Sequence, residues 1–294
     1  MTWKSIADLF GPDGEVALLG APMEAGSVTP GRCDLAPETL RRILRRFSTY
    51  DIETARELTL GLSDARDVAV RGMMPVDGFR PIRDAVAGCV EKHGLTLLIG
   101  GNNAVTRPAV HGLGLPLDRV GLITLDAHFD LRETDQGLLN GNPIRALLED
   151  GLPGRNICQI GLAPFANTAK MHQDARDAGI GSWSIAACRN AGISSVVGLA
   201  LTRLDHVDAL VVDFDIDVLD RAFCPGAPGA RPGGLPLDMF FAAARRLAAE
   251  PRVRLVDLTE FDPSLDVADI TAFTAGRWVC EILAGYSVRQ QGPL

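Results

Sequence analysis

A chain of 294 residues that is 47% hydrophobic can bury a large core, and it lies near the upper size at which one core still serves one domain, here expected to span 1–294. Its 37 acidic and 29 basic side chains leave a net charge of −8 with no basic block to follow a phosphate backbone or anionic headgroups, which argues against nucleic-acid and membrane partners. The opening MTWKSIADLF carries Asp8 where a secretory signal needs an unbroken apolar stretch, and no later run approaches the ~20 apolar residues that cross a bilayer, so a cytoplasmic protein is expected.

In chain order, an apolar run at 15–19 reads as a buried strand, and LAPETLRRILRRF, with Pro37 near its first turn, as a helix. GFRPIRDAVAGCVEKHG reads as a second helix ended by a glycine, followed by short apolar runs at 95–99, 121–125 and 157–160. A further run at 209–212, the helical LDMFFAAARRLAAE and a last run at 254–258 complete the pattern. Strands dense in Val, Ile and Leu that alternate with helices predict an α/β fold, three layers with a mostly parallel central sheet. The six cysteines are far apart with no C-x-x-C pair, which fits buried thiols rather than a disulfide framework or a zinc knuckle. Cys224 alone, in AFCPG, lies beside a motif of interest, and it too reads more simply as a buried thiol.

Each of four runs ends in polar residues. LLIG leads into GNN at 101–103, LITL into DAHFD at 126–130, ALVV into DFDID at 213–217, and VDLT into Glu260. The carboxyl ends of parallel strands share one rim where ligands bind, so these segments are expected to converge there. Asp126, His128 and Asp130 are spaced to share one face if the strand runs on through them, and Asp215 and Asp217 repeat the two-residue step. Single aspartates at strand ends are usually caps or turn residues. Two such segments, each closing an apolar run, favour a metal centre, and four carboxylates with one imidazole suit Mn²⁺ better than a sulfur-rich zinc site. Crowded carboxylates in a cleft would otherwise repel one another and hold protons.

On these residues the chain resembles the ureohydrolase (arginase-like) family over most of its length. LDAHFD is similar to the family's D-A-H-x-D motif, DFDIDVLD to its second carboxylate motif and VDLTEFDP to a later segment. The resemblance implies metal ligation by Asp126, His128 and Asp130 and by Asp215 and Asp217, with Asp126 and Asp215 bridging two manganese ions. It implies that Glu260 contacts the amidine or guanidine end of a small substrate, that water activated between the two ions attacks the amidine carbon, and that Asp130 carries a proton to the leaving amine. It also implies a homo-oligomer.

Within the family, GSVTPGRCDLAPETLR, the FANT segment at 165–168 and Arg132 after the metal motif lean towards formimidoylglutamase. A guanidinium at 132 can hold a substrate carboxylate through paired hydrogen bonds, unless Glu133 or Asp135 takes it first. N-formimidoyl-L-glutamate, hydrolysed to L-glutamate and formamide, is therefore the expected substrate, with a urea-releasing guanidino-acid hydrolase as the alternative. Two positions depart from the family pattern. Asn103 stands where a histidine ligand is expected, so that one ion instead of two is possible, and Asn140 replaces the arginase histidine, which removes a proton shuttle from the substrate-binding set. Asn103 also leaves open a metal-depleted binding or regulatory protein. His93, His111, His172 and His206 lie outside the motifs and read as ordinary helix or loop residues.

Overall fold

The computed structural model describes residues 3–291. Ten strands occur in chain order: β1 (Val16–Ala21), β2 (Tyr50–Asp51), β3 (Arg56–Glu57), β4 (Leu62–Asp67), β5 (Leu95–Gly100), β6 (Val120–Leu125), β7 (Ile157–Leu162), β8 (Gly181–Ser184), β9 (Ala209–Asp215) and β10 (Val253–Thr259). β2 and β3 form a small antiparallel hairpin, and the other eight make one sheet in the order β4-β1-β5-β10-β9-β6-β7-β8. Every neighbouring pair in that sheet is parallel. Parallel strands need crossovers, and here they are supplied by α1 (Ala36–Ile43), α2 (Pro75–Lys92), α3 (Thr106–His111), α4 (Pro143–Glu149), α5 (Ala169–Asp177), α6 (Ile185–Ala191), α7 (Ile193–Arg203) and α8 (Leu237–Ala248), with α9 (Ile270–Gln291) closing the fold.

Successive side chains of a strand point to opposite faces, and the central strands feed two separate cores in that alternation. Leu210, Val212 and Phe214 of β9 pack on one side with Phe240 of α8 and Trp278 of α9, whereas Ala209 and Val211 face the other side with Val110 of α3 and Ile82 of α2. On the first face Phe214 meets Phe240 and Trp278 edge-on, with ring centroids 5.5 and 5.3 Å away, an arrangement worth about 0.5–1.5 kcal/mol per pair beyond the area it buries. Among the described residues no single helix is long and apolar enough to cross a membrane; α6 and α7 reach that composition only together, across a bend of 106°.

The six apolar runs became the six wholly or nearly wholly buried strands. The two edge strands, β4 and β8, carry sequences (LSDARD, GSWS) too polar to announce themselves, because an edge strand has only part of its surface to bury. Arg41 holds Asp64 at 3.0 Å and Asp67 at 2.6 Å, which lays charge along the β4 edge.

The strand order decides where a ligand can sit. The chain adds β4 on one side of β1 and β5 on the other, skips two places to lay down β6, β7 and β8, and only then returns to fill the gap with β9 and β10. The four contiguous strands β5-β10-β9-β6 are the four whose carboxyl ends carry residues 101–103, Glu260, 215–217 and 126–130. A reversal of winding direction opens a crevice at that rim.

Candidate metal centre

The segments expected at the rim do meet there, by a different local geometry from simple strand extension. β6 stops at Leu125, and 126–130 is a loop that ends with Asp130 at φ 52°. Asp126 donates its backbone N–H to the Ile160 carbonyl at 3.0 Å and accepts the His128 N–H on Oδ1 at 2.6 Å, so the carboxylate itself shapes the turn. Asp215 is the last residue of β9, and its Oδ1 accepts the Asp217 N–H at 3.0 Å, starting a single 3₁₀ turn that brings Asp217 back over the strand end. Glu260, just past β10, has φ 60° and donates its N–H to Gly101 at 2.9 Å. Two non-glycine residues held in the left-handed region beside one cleft are the kind of local strain that a functional site retains.

Asp126, His128 and Asp217 each offer a ligand atom within 4.8 Å of the other two, with His128 Nδ1 3.1 Å from Asp217 Oδ2. Asp130 and Asp215 line the same cavity, of about 230 Å³, as do Arg132, Asn140 and Glu260. Asp126 Oδ2 and Asp217 Oδ1 are buried and take no hydrogen bond from any described residue, although each is a strong acceptor. Such orphaned oxygens in a set of carboxylates and one imidazole fit a hard divalent cation, and they fit manganese.

The charge pattern says the same. Burial first, then Asp217, pushes the Asp126 carboxyl up to about 6, and burial followed by neighbouring carboxylates raises Asp130 and Asp215 well above the usual range. Burial alone would depress His128; the facing carboxylates of Asp217 and Asp126 overcome it and push the imidazole up to about 12. Glu260 rises to about 7, chiefly by burial, against the hydrogen bonds it accepts. The protein alone therefore favours protons on His128, Asp130 and Asp215, in place of cations.

Asn103, considered from the sequence as a ligand through its amide oxygen, turns its amide nitrogen to Asp130 Oδ2 at 2.7 Å, while its oxygen accepts from Thr106 Oγ1, also at 2.7 Å. In this arrangement Asn103 gives the cluster a donor, and coordination would need the amide to turn. Asn140, placed from the sequence among substrate-binding residues, has both ends of its amide in use: Oδ1 accepts the Val28 N–H at 2.8 Å and Nδ2 donates to Glu260 Oε1 at 2.9 Å. The Asn103 N–H reaches the same oxygen at 2.7 Å, so Oε1 is fixed by two donors and Oε2 is left for something else. Arg132 is exposed at the cavity mouth, and neither Glu133 nor Asp135 pairs with it among the described residues; Lys170 holds Glu133 at 2.7 Å.

The four remaining histidines sit elsewhere. His93 bonds the Gly14 carbonyl, His111 the Asp150 carboxylate and His206 Asn156, and His172 stacks on Phe129 at 5.6 Å. Cys224 is fully buried, its thiol directed at the Leu219 and Asp220 carbonyls.

Sequence reasoning passed over Asp213 and Asp257, which face each other in register on β9 and β10 beneath the cluster, both completely buried. Burial raises both, Asp257 to about 7, and Thr106 Oγ1 lies 3.3 Å from Asp257 Oδ2. The available signal was a carboxylate inside an apolar, parallel-strand run. Gly229 was also passed over: a Cβ there would collide with Asp217 Oδ2, so only glycine lets the 225–234 loop lie on that carboxylate.

Comparison with known proteins settles the family. The arginase family profile matches residues 14–285. The chain belongs to the arginase family. Among arginase-family proteins it is 30% identical to the formimidoylglutamase of Halalkalibacterium halodurans, over 94% of this chain and 88% of that protein, and 28% identical to the Bacillus subtilis formimidoylglutamase, over 97% and 89%. The crystal structure of formimidoylglutamase from B. subtilis superposes with a TM-score of 0.91 at 26% identity, covering 97% of this chain and 93% of that one. The arginase-family fold extends to a Trypanosoma cruzi formiminoglutamase structure described with Mn²⁺, TM-score 0.90 at 22% identity over 98% and 100% of the two chains.

Proposed function

We propose that this arginase-family protein is a manganese-dependent hydrolase that converts N-formimidoyl-L-glutamate and water to L-glutamate and formamide. The observation that carries the substrate assignment is Arg132: it lines the cavity of the carboxylate–imidazole cluster and, among the described residues, has no carboxylate of its own to hold. A free guanidinium opposite an acidic floor suits a molecule with a cationic amidine at one end and a carboxylate at the other. Resemblance to formimidoylglutamases over nearly the whole chain supports the same choice. One-domain organisation and a cytoplasmic location belong to this reading and rest on length, composition and the apolar pattern of the sequence; a homo-oligomer belongs to it too and rests on the family.

Asp126, His128, Asp130, Asp215 and Asp217 would hold the manganese, which when bound supplies a Lewis acid able to make water nucleophilic near neutral pH. Glu260, its Oε1 fixed by Asn103 and Asn140, turns Oε2 to the amidinium N–H groups and orients the planar carbon for attack. Asp130 takes the proton released by the attacking water and gives it to the departing nitrogen of glutamate, a role that fits a carboxylate lining the same cavity as Glu260 and held in place by Asn103 Nδ2 at 2.7 Å. Arg132 binds a carboxylate at the far end. Asn140, in the place of a histidine shuttle, leaves Asp130 as the proton carrier.

Product analysis tests this. The manganese-loaded protein, given N-formimidoyl-L-glutamate, L-arginine, agmatine and 4-guanidinobutyrate separately, should release formamide with kcat/KM roughly 100-fold above any urea-releasing reaction. Urea as the main product from a guanidino substrate would replace the assignment with its alternative; no product from any of them would favour the binding-protein reading.

A further inference from the structure

We infer that Arg231 is the second point of a two-point carboxylate grip whose first point is Arg132, so that the cavity selects linear amidines bearing two carboxylates; this rests on the function proposed above and makes its substrate class specific.

Arg231 lines the same cavity as Arg132, Glu260 and the metal cluster, and both arginines are exposed at its mouth. Elsewhere the arginines near acidic groups are already paired, as Arg107 is with Asp150, Arg145 with Asp174 and Arg245 with Glu281. Among the described residues neither Arg132 nor Arg231 has a carboxylate partner, although five carboxylates form the floor of that cavity and its surround. Two cations are therefore kept at the rim, away from the acids below. A ligand that completes this pattern carries positive charge inward and negative charge outward.

Arg231 is also held in place, as a recognition group needs to be. Its loop is pinned from within: Arg221 Nη1 donates to the Ala227 and Ala230 carbonyls at 3.3 and 3.1 Å, and Gly233 N–H to Asp220 Oδ2 at 2.7 Å. Gly229, two residues before Arg231, seats the loop on Asp217. The guanidinium spends one donor, Nη1 to the Phe165 carbonyl at 2.8 Å. Phe165 itself has φ 60°, and its loop is tied to the metal motif by Asn167, which accepts from Phe129 N–H and donates to the Ala127 carbonyl. One anchored donor leaves the rest of the fork for a planar carboxylate, which a guanidinium meets with two parallel hydrogen bonds.

Calorimetric titration of the manganese-loaded protein with glutarate and with butyrate tests the grip without turnover. The wild type should bind glutarate roughly 10- to 100-fold more tightly than butyrate. In Arg231→Gln that preference should vanish while manganese content stays unchanged; in Arg231→Lys, which keeps the charge but not the fork, it should shrink, and this variant serves if the glutamine variant fails to fold. A wild type that does not distinguish the two acids, or variants that keep the wild-type preference, would overturn the grip. Absence of formamide release together with normal glutarate preference would instead remove the proposed reaction and leave the grip standing.

Discussion

Asp126→Asn is expected to lower kcat/KM by at least ~10³-fold and to strip bound manganese, while leaving the metal-free protein no less stable than the metal-free wild type. Asp126 sits where every argument about the site intersects. One oxygen shapes the metal-motif loop through the His128 N–H, and the other is buried with no donor to satisfy it. An asparagine keeps the shape and the first contact but can place an NH₂ group where a cation must accept a lone pair. The same change removes one charge from a cleft in which Asp217 and Asp130 already repel it, so the loss is one of function and not of folding. The check is kcat/KM against added Mn²⁺, with bound metal and the melting temperature measured on the same preparations. Near-wild-type turnover at saturating Mn²⁺ would remove Asp126 from the centre.

The second large effect concerns stability. Without metal, the melting temperature should fall by roughly 5–10 °C between pH 5 and pH 8, and saturating Mn²⁺ should abolish most of that fall. The acids of the cleft bind protons more tightly folded than unfolded, because burial and neighbouring carboxylates raise them: Asp126 to about 6, Glu260 and Asp257 to about 7. Folding therefore takes up protons. Their contribution is complete below the unfolded carboxylate value near 4 and is lost as pH rises through those folded values. His128, raised by its carboxylate neighbours, has the same sign; its share is complete below its unfolded value near 6.5 and is lost as pH climbs towards about 12. Bound cations take over the role of these protons, so the metal-loaded curve should be flat. Thermal melts in chelator and in Mn²⁺ across this range are the measurement, and a metal-free melting temperature that rises from pH 5 to pH 8 would contradict the charge account.

How far the sequence could be read follows from what each element buries. β5, β6 and β9 lie inside the sheet and are covered on both faces, so their runs are continuously apolar and visible. β4 and β8 lie at the edges, bury little, and look like loops in sequence. The candidate metal motifs were legible because two carboxylate-rich segments each close an apolar run, a repetition that single caps or turn residues do not produce. Their local geometry was not: Asp130 joins the site through a left-handed residue after β6 has ended, and alternation along a strand does not describe that. Side-chain amides were the hardest to read. Asn103 and Asn140 could be found as substitutions in motifs, but only coordinates show that the first turns its nitrogen to Asp130 and that the second is spent on Glu260 and Val28. Arg231 lay in a Pro- and Gly-rich loop with no local signal. Its relation to Arg132 comes from the crevice between β9 and β6, which brings together segments about 100 residues apart in sequence.

The most direct test of the central claim is to dialyse the metal-free protein against Mn²⁺, then measure manganese per chain and formamide release from N-formimidoyl-L-glutamate on the same samples. The account predicts about two manganese ions per chain at saturation, with release rising as the second binds. Full release of formamide from protein holding well under one ion per chain would contradict it.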